Sequence, residues 1–178
     1  MLAGTPVLER LSALLREEGG LIATLVSGSV NGGGGESPAR LAASGPRTSS
    51  RTEQYELLVE AIYEGYLLHY GTPRVVGAAD ADLRVLAGDR LYAIGLARLV
   101  ELGDTDAVAE LADTITLSAL AQGAGDSALA DAVWAAGARA VGWGSSDGHG
   151  RAKDLVASGA PEAFEAMRTS ALGPARTP

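Results

Sequence analysis

The chain has 178 residues, of which 47% are hydrophobic but only 4% aromatic, so Ala, Leu and Val must fill its core. That length suits one domain, and small, strong helix formers point to an all-α fold. A formal net charge of −8 with no basic cluster excludes a nucleic-acid interface, and the lack of cysteine excludes disulfides, thiolate nucleophiles and cysteine metal sites.

A first helix is predicted from Pro6 to Glu18, capped by Thr5 and stopped by Gly19-Gly20, with Val7, Leu8, Leu11, Leu14 and Leu15 at helical spacing. No signal peptide precedes it. The apolar stretch Leu21 to Val26 is far shorter than the about 20 residues that span a bilayer. These features place the chain in the cytoplasm, reaching a membrane only through a partner.

From Ser27 to Arg51 the sequence turns to Gly, Ser, Pro and Arg, including Gly32-Gly33-Gly34-Gly35, and reads as a flexible linker or arm. Without a lysine it cannot be a Walker-type phosphate loop. The expected organisation is an N-terminal helical segment over 1–26, the linker over 27–51 and a helical bundle over 52–173.

The bundle opens with a helix from Thr52 to about His69, with Leu58, Ala61, Ile62, Gly65, Leu68 and His69 as its buried face. Glu53, Glu56, Glu60 and Glu64 are assigned to solvent, and Val59, Tyr63, Tyr66 and Tyr70 form a third strip. Tyrosines combine an apolar body with a polar tip, so this strip suits either packing within the domain or a partner interface. Thr72-Pro73 breaks the helix. Asp80 or Asp82 caps the next, which runs to about Leu102 and is apolar on nearly all sides, as a central helix would be.

Gly103 ends that helix, Thr105 or Asp106 caps another, and further helices are expected over Ser127–Val141 and Pro161–Leu172. Gly142 to Gly150 reads as loop, and Ser145-Ser146-Asp147-Gly148-His149 within it as loop or helix cap. Three residue types so close in sequence cannot form a triad with one another. His69 reads as a hydrogen-bonded core histidine, and Asp89 as a buried carboxylate paired with an Arg or a backbone donor.

The run from Ala61 to Arg74, followed by Leu86-Ala87-Gly88-Asp89-Arg90-Leu91 and then Leu102-Gly103-Asp104, resembles the trans-polyprenyl diphosphate synthase family. There an I-H-x-x-S-L-I-H-D-D-x-x-D helix precedes an L-A-G-D-x-L helix. The resemblance covers about residues 52–125 and implies a bundle of five to six helices like the first half of the isoprenoid synthase fold. In that family, paired aspartate-rich motifs hold Mg²⁺ ions that activate an allylic diphosphate. His69 aligns with the family's histidine, but Tyr70, Gly71 and Arg74 stand where its three aspartates should be. The usual Arg-Arg pair is missing, and D-D-x-x-D occurs nowhere in the chain.

No catalytic, metal or cofactor residue is therefore assigned. The resemblance implies a non-catalytic accessory subunit that stabilises a catalytic polyprenyl diphosphate synthase and tunes product length, as in quinone side-chain biosynthesis. The alternative is a structural subunit of another assembly, such as a quinone-linked respiratory membrane complex, with the 27–51 segment as a wrapping arm.

Overall fold

The computed structural model describes residues 6–28, 37–77 and 80–173. The fold is all-α. Among the described residues the helices are α1 (Val7–Glu18), α2 (Gly20–Leu25), α3 (Pro38–Ala43), α4 (Thr52–Tyr70), α5 (Ala81–Glu101), α6 (Thr105–Gly123), α7 (Ser127–Trp143), α8 (Asp147–Ala157) and α9 (Ala163–Leu172). A 3₁₀ turn (Ser49–Arg51) leads into α4. One bridge, Val26 with Val76, is the only β-type pairing among these residues. None of these helices is long and apolar enough to cross a membrane.

Three apolar clusters, rather than one, hold the helices together. The first joins α3, α4, α6 and α7 through Ala42, Ile62, Leu111 and Trp134. A second joins α1 and α2 to α4 and α5 through Leu11, Leu15, Leu68 and Leu91. The third seats α8 and α9 on α6 and α7 through Leu117, Val133, Val156 and Met167. The N-terminal helices are thus part of the bundle, and no boundary falls at residue 51.

Much of the expected linker is core. Ser37 caps α3 by accepting from the Ala39 N–H, Pro38 follows at the first helical position, and Ala39, Ala42 and Ala43 are buried. Gly45 then meets the Gly142 backbone of α7 so closely that a Cβ would overlap it. Arg47 and Thr48 pin the next turn. Arg47 donates to the Val141 carbonyl at 2.7 Å, and the Thr48 hydroxyl to the Ala42 carbonyl at 2.8 Å. Only residues 29–36 of this region, with Gly32 to Gly35, lie outside the described residues, as does Thr5. At the start of α1 Pro6 takes the cap position with no side-chain bond.

Cap chemistry explains most helix ends. Asp80 Oδ1 accepts from the N–H groups of Asp82 and Leu83 at 2.9 and 3.1 Å, as its position before the helix suggested. Asp104, not Thr105 or Asp106, caps α6, taking the Ala107 N–H at 3.0 Å. The same carboxylate accepts from the Tyr55 hydroxyl at 2.7 Å and from Arg47 at 3.2 Å, tying α4, the 44–48 turn and α6 together.

Burial alone would raise the Asp104 carboxyl, but the bonds from Tyr55, Ala107 and Arg47 outweigh it and hold it below the usual carboxylate range. Its folded value is the lower one, so the stability it supplies is complete above about pH 4 and lost as pH falls through the depressed value. Burial, and then the bond to Asp104, pushes Tyr55 up to about 12. That contribution is complete below about pH 10 and lost as pH rises toward the folded value. Asp104→Ala should cost about 2 kcal/mol near neutral pH through the lost cap and the orphaned hydroxyl. Denaturant midpoints across pH should show the gap to wild type closing in acid; a gap independent of pH would contradict this assignment.

α5 is not central. Val85, Leu86 and Val100 are 49, 57 and 55% exposed. The most enclosed helices are α4 and α7, on each of which ten residues are buried.

Candidate functional site

The end of α4 and the loop after it hold Tyr70, Gly71 and Arg74, the positions at which the resembled motif carries aspartates. Glu60 and Glu64 lie one turn apart on α4 and are fully buried rather than solvent-facing. Arg74 folds back from the loop and donates to both, through Nη2 to Glu60 Oε1 and through Nε to Glu64 Oε2 at 3.4 Å. Glu64 Oε1 also accepts the backbone N–H groups of Arg74, Val75 and Val76 at 2.7, 2.6 and 3.2 Å. Glu60 Oε2 takes the Ser37 hydroxyl at 2.7 Å. Two buried carboxylates thus share one guanidinium, and fixed neutral donors compensate the remaining charge, as burial of charge requires.

These residues do not fit a Mg²⁺ ion. Tyr70 and Gly71 offer no carboxylate, and the acidic pair nearby is occupied by Arg74. A hard divalent cation needs several free carboxylate or carbonyl oxygens. Among the described residues no group of three or more His, Asp or Glu is placed to hold a metal.

The tyrosine strip is mostly spent within the chain. Val59 and Tyr66 are buried, and Tyr63 is half-buried. The Tyr63 and Tyr66 rings pack on Trp134 of α7 with centroids 5.0 and 5.2 Å away. Tyr66 also accepts from Gln122 Nε2 at 2.7 Å. Arg74 lies over the Tyr63 ring, 5.4 Å from its centroid. Tyr70 alone of the four is exposed, at 45%. Of the two uses expected for the strip, packing within the domain takes Val59, Tyr63 and Tyr66, which form a seam between α4 and α7, and only Tyr70 keeps an exposed face.

His69 stacks on Tyr92 of α5, with ring centroids 5.3 Å apart and planes 16° from parallel. Its Nε2 comes within 3.2 Å of Asp89 Oδ1 without the alignment of a hydrogen bond. Asp89 is itself exposed, so the expected buried carboxylate is not present. The ring explains the glycine beside it, since a Cβ on Gly88 would lie 2.5 Å from His69 Nε2. The Ala87-Gly88-Asp89 sequence thus serves close packing of α5 on α4.

A second polar cluster lies at the other end of the chain and was not legible as one. Ser146 caps α8 through the His149 N–H at 3.1 Å, and the helix carries His149 into the interior, 3% exposed. The expected 142–150 loop is therefore the end of α7, a short turn and the start of α8. His149 Nε2 is 2.7 Å from Glu110 Oε1 of α6, and its Nδ1 is 2.7 Å from Ser170 Oγ of α9. Lys153, one turn beyond His149, donates to Glu110 Oε2 at 3.0 Å and to Asp113 at 2.7 Å. Burial would lower the Lys153 ammonium, but the bonds to Asp113 and Glu110 raise it above its ordinary value and keep it charged. His149 and Ser170 both line a cavity of about 710 Å³ between α8 and α9.

Comparison of the chain with protein-family models, with curated proteins and with solved structures gave no match.

Proposed function

We propose that the chain is an accessory subunit, without prenyl-transfer activity of its own, of a heteromeric polyprenyl diphosphate synthase. The observation that carries this reading is Arg74. In the sequence it stands at an aspartate position of the resembled motif, and in the fold its guanidinium closes the buried acidic pair of α4, Glu60 and Glu64. This end of α4 is closed to a diphosphate-bound metal, which favours a role through contact with another chain.

The free side of α5 supplies that surface. Leu86, Ala93, Ala97 and Val100 fall on one exposed stripe, with Val85 beside it. Its small residues let a partner helix approach closely. Leu86 also lines a cavity of about 350 Å³ against α2, beside the exposed Leu21. An exposed apolar stripe of this kind fits an interaction face. A catalytic polyprenyl synthase chain is the occupant that the resemblance over residues 52–125 favours, in the cytoplasm or at a membrane through that partner.

The test is co-elution from size exclusion. Wild-type chain mixed with the synthase of the same cells is expected to run as a complex, and the double variant Leu86→Glu/Val100→Glu to run apart with its helical content unchanged. Co-elution of the double variant would move the contact off α5. Purification from native cells in which a membrane complex, not a synthase, is the main companion would replace this reading with that of a structural subunit of such a complex.

A further inference from the structure

We infer that Ser170, His149 and Glu110 form a serine-hydrolase-type centre, open to the cavity between α8 and α9, that acts on small carboxylic esters. It is separate from the α5 face and holds whether or not the chain has a synthase partner.

With Glu110 as a carboxylate and the imidazole neutral, these contacts fit one arrangement of protons. An ionised Glu110 can only accept, so the proton between it and His149 lies on Nε2. A neutral imidazole has one N–H, which leaves Nδ1 as an acceptor facing Ser170. The Ser170 O–H must then donate to Nδ1. That is the order of nucleophile, base and orienting carboxylate, each 2.7 Å from the next. Lys153 fixes the other Glu110 oxygen, at 3.0 Å, and stabilises its charge. The roles of the two ring nitrogens are reversed from the common serine-protease arrangement, but either can take a proton.

A histidine placed only for packing needs two hydrogen-bond partners. It does not need one of them to be a hydroxyl on a cavity wall, with an ionised, lysine-braced carboxylate behind the ring. The cavity also borders the start of α8, and Ser146 and Gly148 line it. The first N–H groups of a helix have no intrahelical acceptor. Ser146 takes that of His149, which leaves the Gly148 N–H, on the cavity lining, as a donor for an oxyanion. Arg151 stands on the same wall. Ala152, Leu155 and Ala166 give the cavity an apolar strip that suits a short acyl chain, while Glu162, Glu165 and Thr169 line it as polar groups.

In the reaction, Ser170 Oγ forms a bond to the ester carbonyl carbon while its proton passes to His149 Nδ1. The tetrahedral oxyanion collapses, the bond to the alkoxy oxygen breaks, and Nδ1–H protonates the departing alcohol. Water then attacks the acyl-serine and gives its proton to Nδ1. Collapse releases the carboxylic acid and returns the proton to Ser170, with no other reactant consumed.

The experiment uses the full chain with a fluorophosphonate probe and with p-nitrophenyl acetate. Peptide mapping is expected to find the phosphonyl group on Ser170, and ester hydrolysis is expected to saturate. Ser170→Ala should abolish labelling and cut kcat by roughly a hundred-fold or more. In Glu110→Gln the amide can donate to Nε2, which shifts the ring proton to Nδ1 and disables the base. It should lower kcat on the order of 10³-fold with KM little changed. Circular dichroism checks that each variant is folded, and labelling of the wild-type chain decides the matter even where a variant is not. A folded wild-type chain that leaves Ser170 unlabelled, or hydrolysis undiminished in folded Ser170→Ala, would overturn the inference.

Discussion

Replacing Arg74 with methionine should destabilise the chain by about 3–5 kcal/mol, the loss expected when one partner of a buried ion pair is removed. Methionine keeps much of the volume and none of the charge. Glu60 and Glu64 would remain in the interior, at 1 and 0% side-chain exposure, with no cation. The loop would suffer as well. Glu64 holds the N–H groups of Arg74, Val75 and Val76, and Val76 pairs with Val26 after α2. Limited proteolysis should therefore find new cuts between residues 71 and 77. Adding Glu60→Gln should recover part of the loss, because the amide can still accept from Ser37 while one uncompensated charge disappears. A urea series giving less than about 1 kcal/mol for Arg74→Met would mean that the pair is effectively solvated, which is the usual worth of a surface ion pair.

Trp134→Ala should cost a similar about 3–5 kcal/mol, for a different reason. Trp134 is 1% exposed, and the rings of Tyr63 and Tyr66 close on it from α4. With so few aromatics in the chain, no neighbour can collapse into the space. The seam between α4 and α7 would lose both transfer energy and contact, leaving a cavity. Trp143 is the control. It is 37% exposed and covered on one face by Arg139, 4.6 Å from its ring. Its replacement by alanine should cost under about 1 kcal/mol. Equal losses at the two tryptophans would contradict the core described here.

Most of the helix order was legible because its signals are local. Asp80 before α5, Thr72-Pro73 after α4 and Gly103 after α5 mark their boundaries whatever lies across the fold. Where the reading failed, the deciding partner was remote. Glu60 and Glu64 look like a solvent face until Arg74 returns from 10 to 14 residues away. Ser37-Pro38 is a sound helix start, but the glycines before it lowered the whole segment to linker, and the buried face of α3 is only alanine. The tyrosine strip was ambiguous because its answer, Trp134, lies on a helix 71 residues beyond Tyr63.

The candidate centre at His149 was hidden for the same reason. Its partners are 39 and 21 residues distant, and the glycine-rich turn concealed the helix that carries it. Ser146 followed by Asp147 was the available signal, a cap and an acidic first turn.

The proposed role depends most directly on what the chain does to a catalytic partner. Polyprenyl product lengths should be measured for the synthase alone and with added wild-type chain. A shifted product distribution, lost with Leu86→Glu/Val100→Glu, is the predicted result; identical products in every mixture would contradict it.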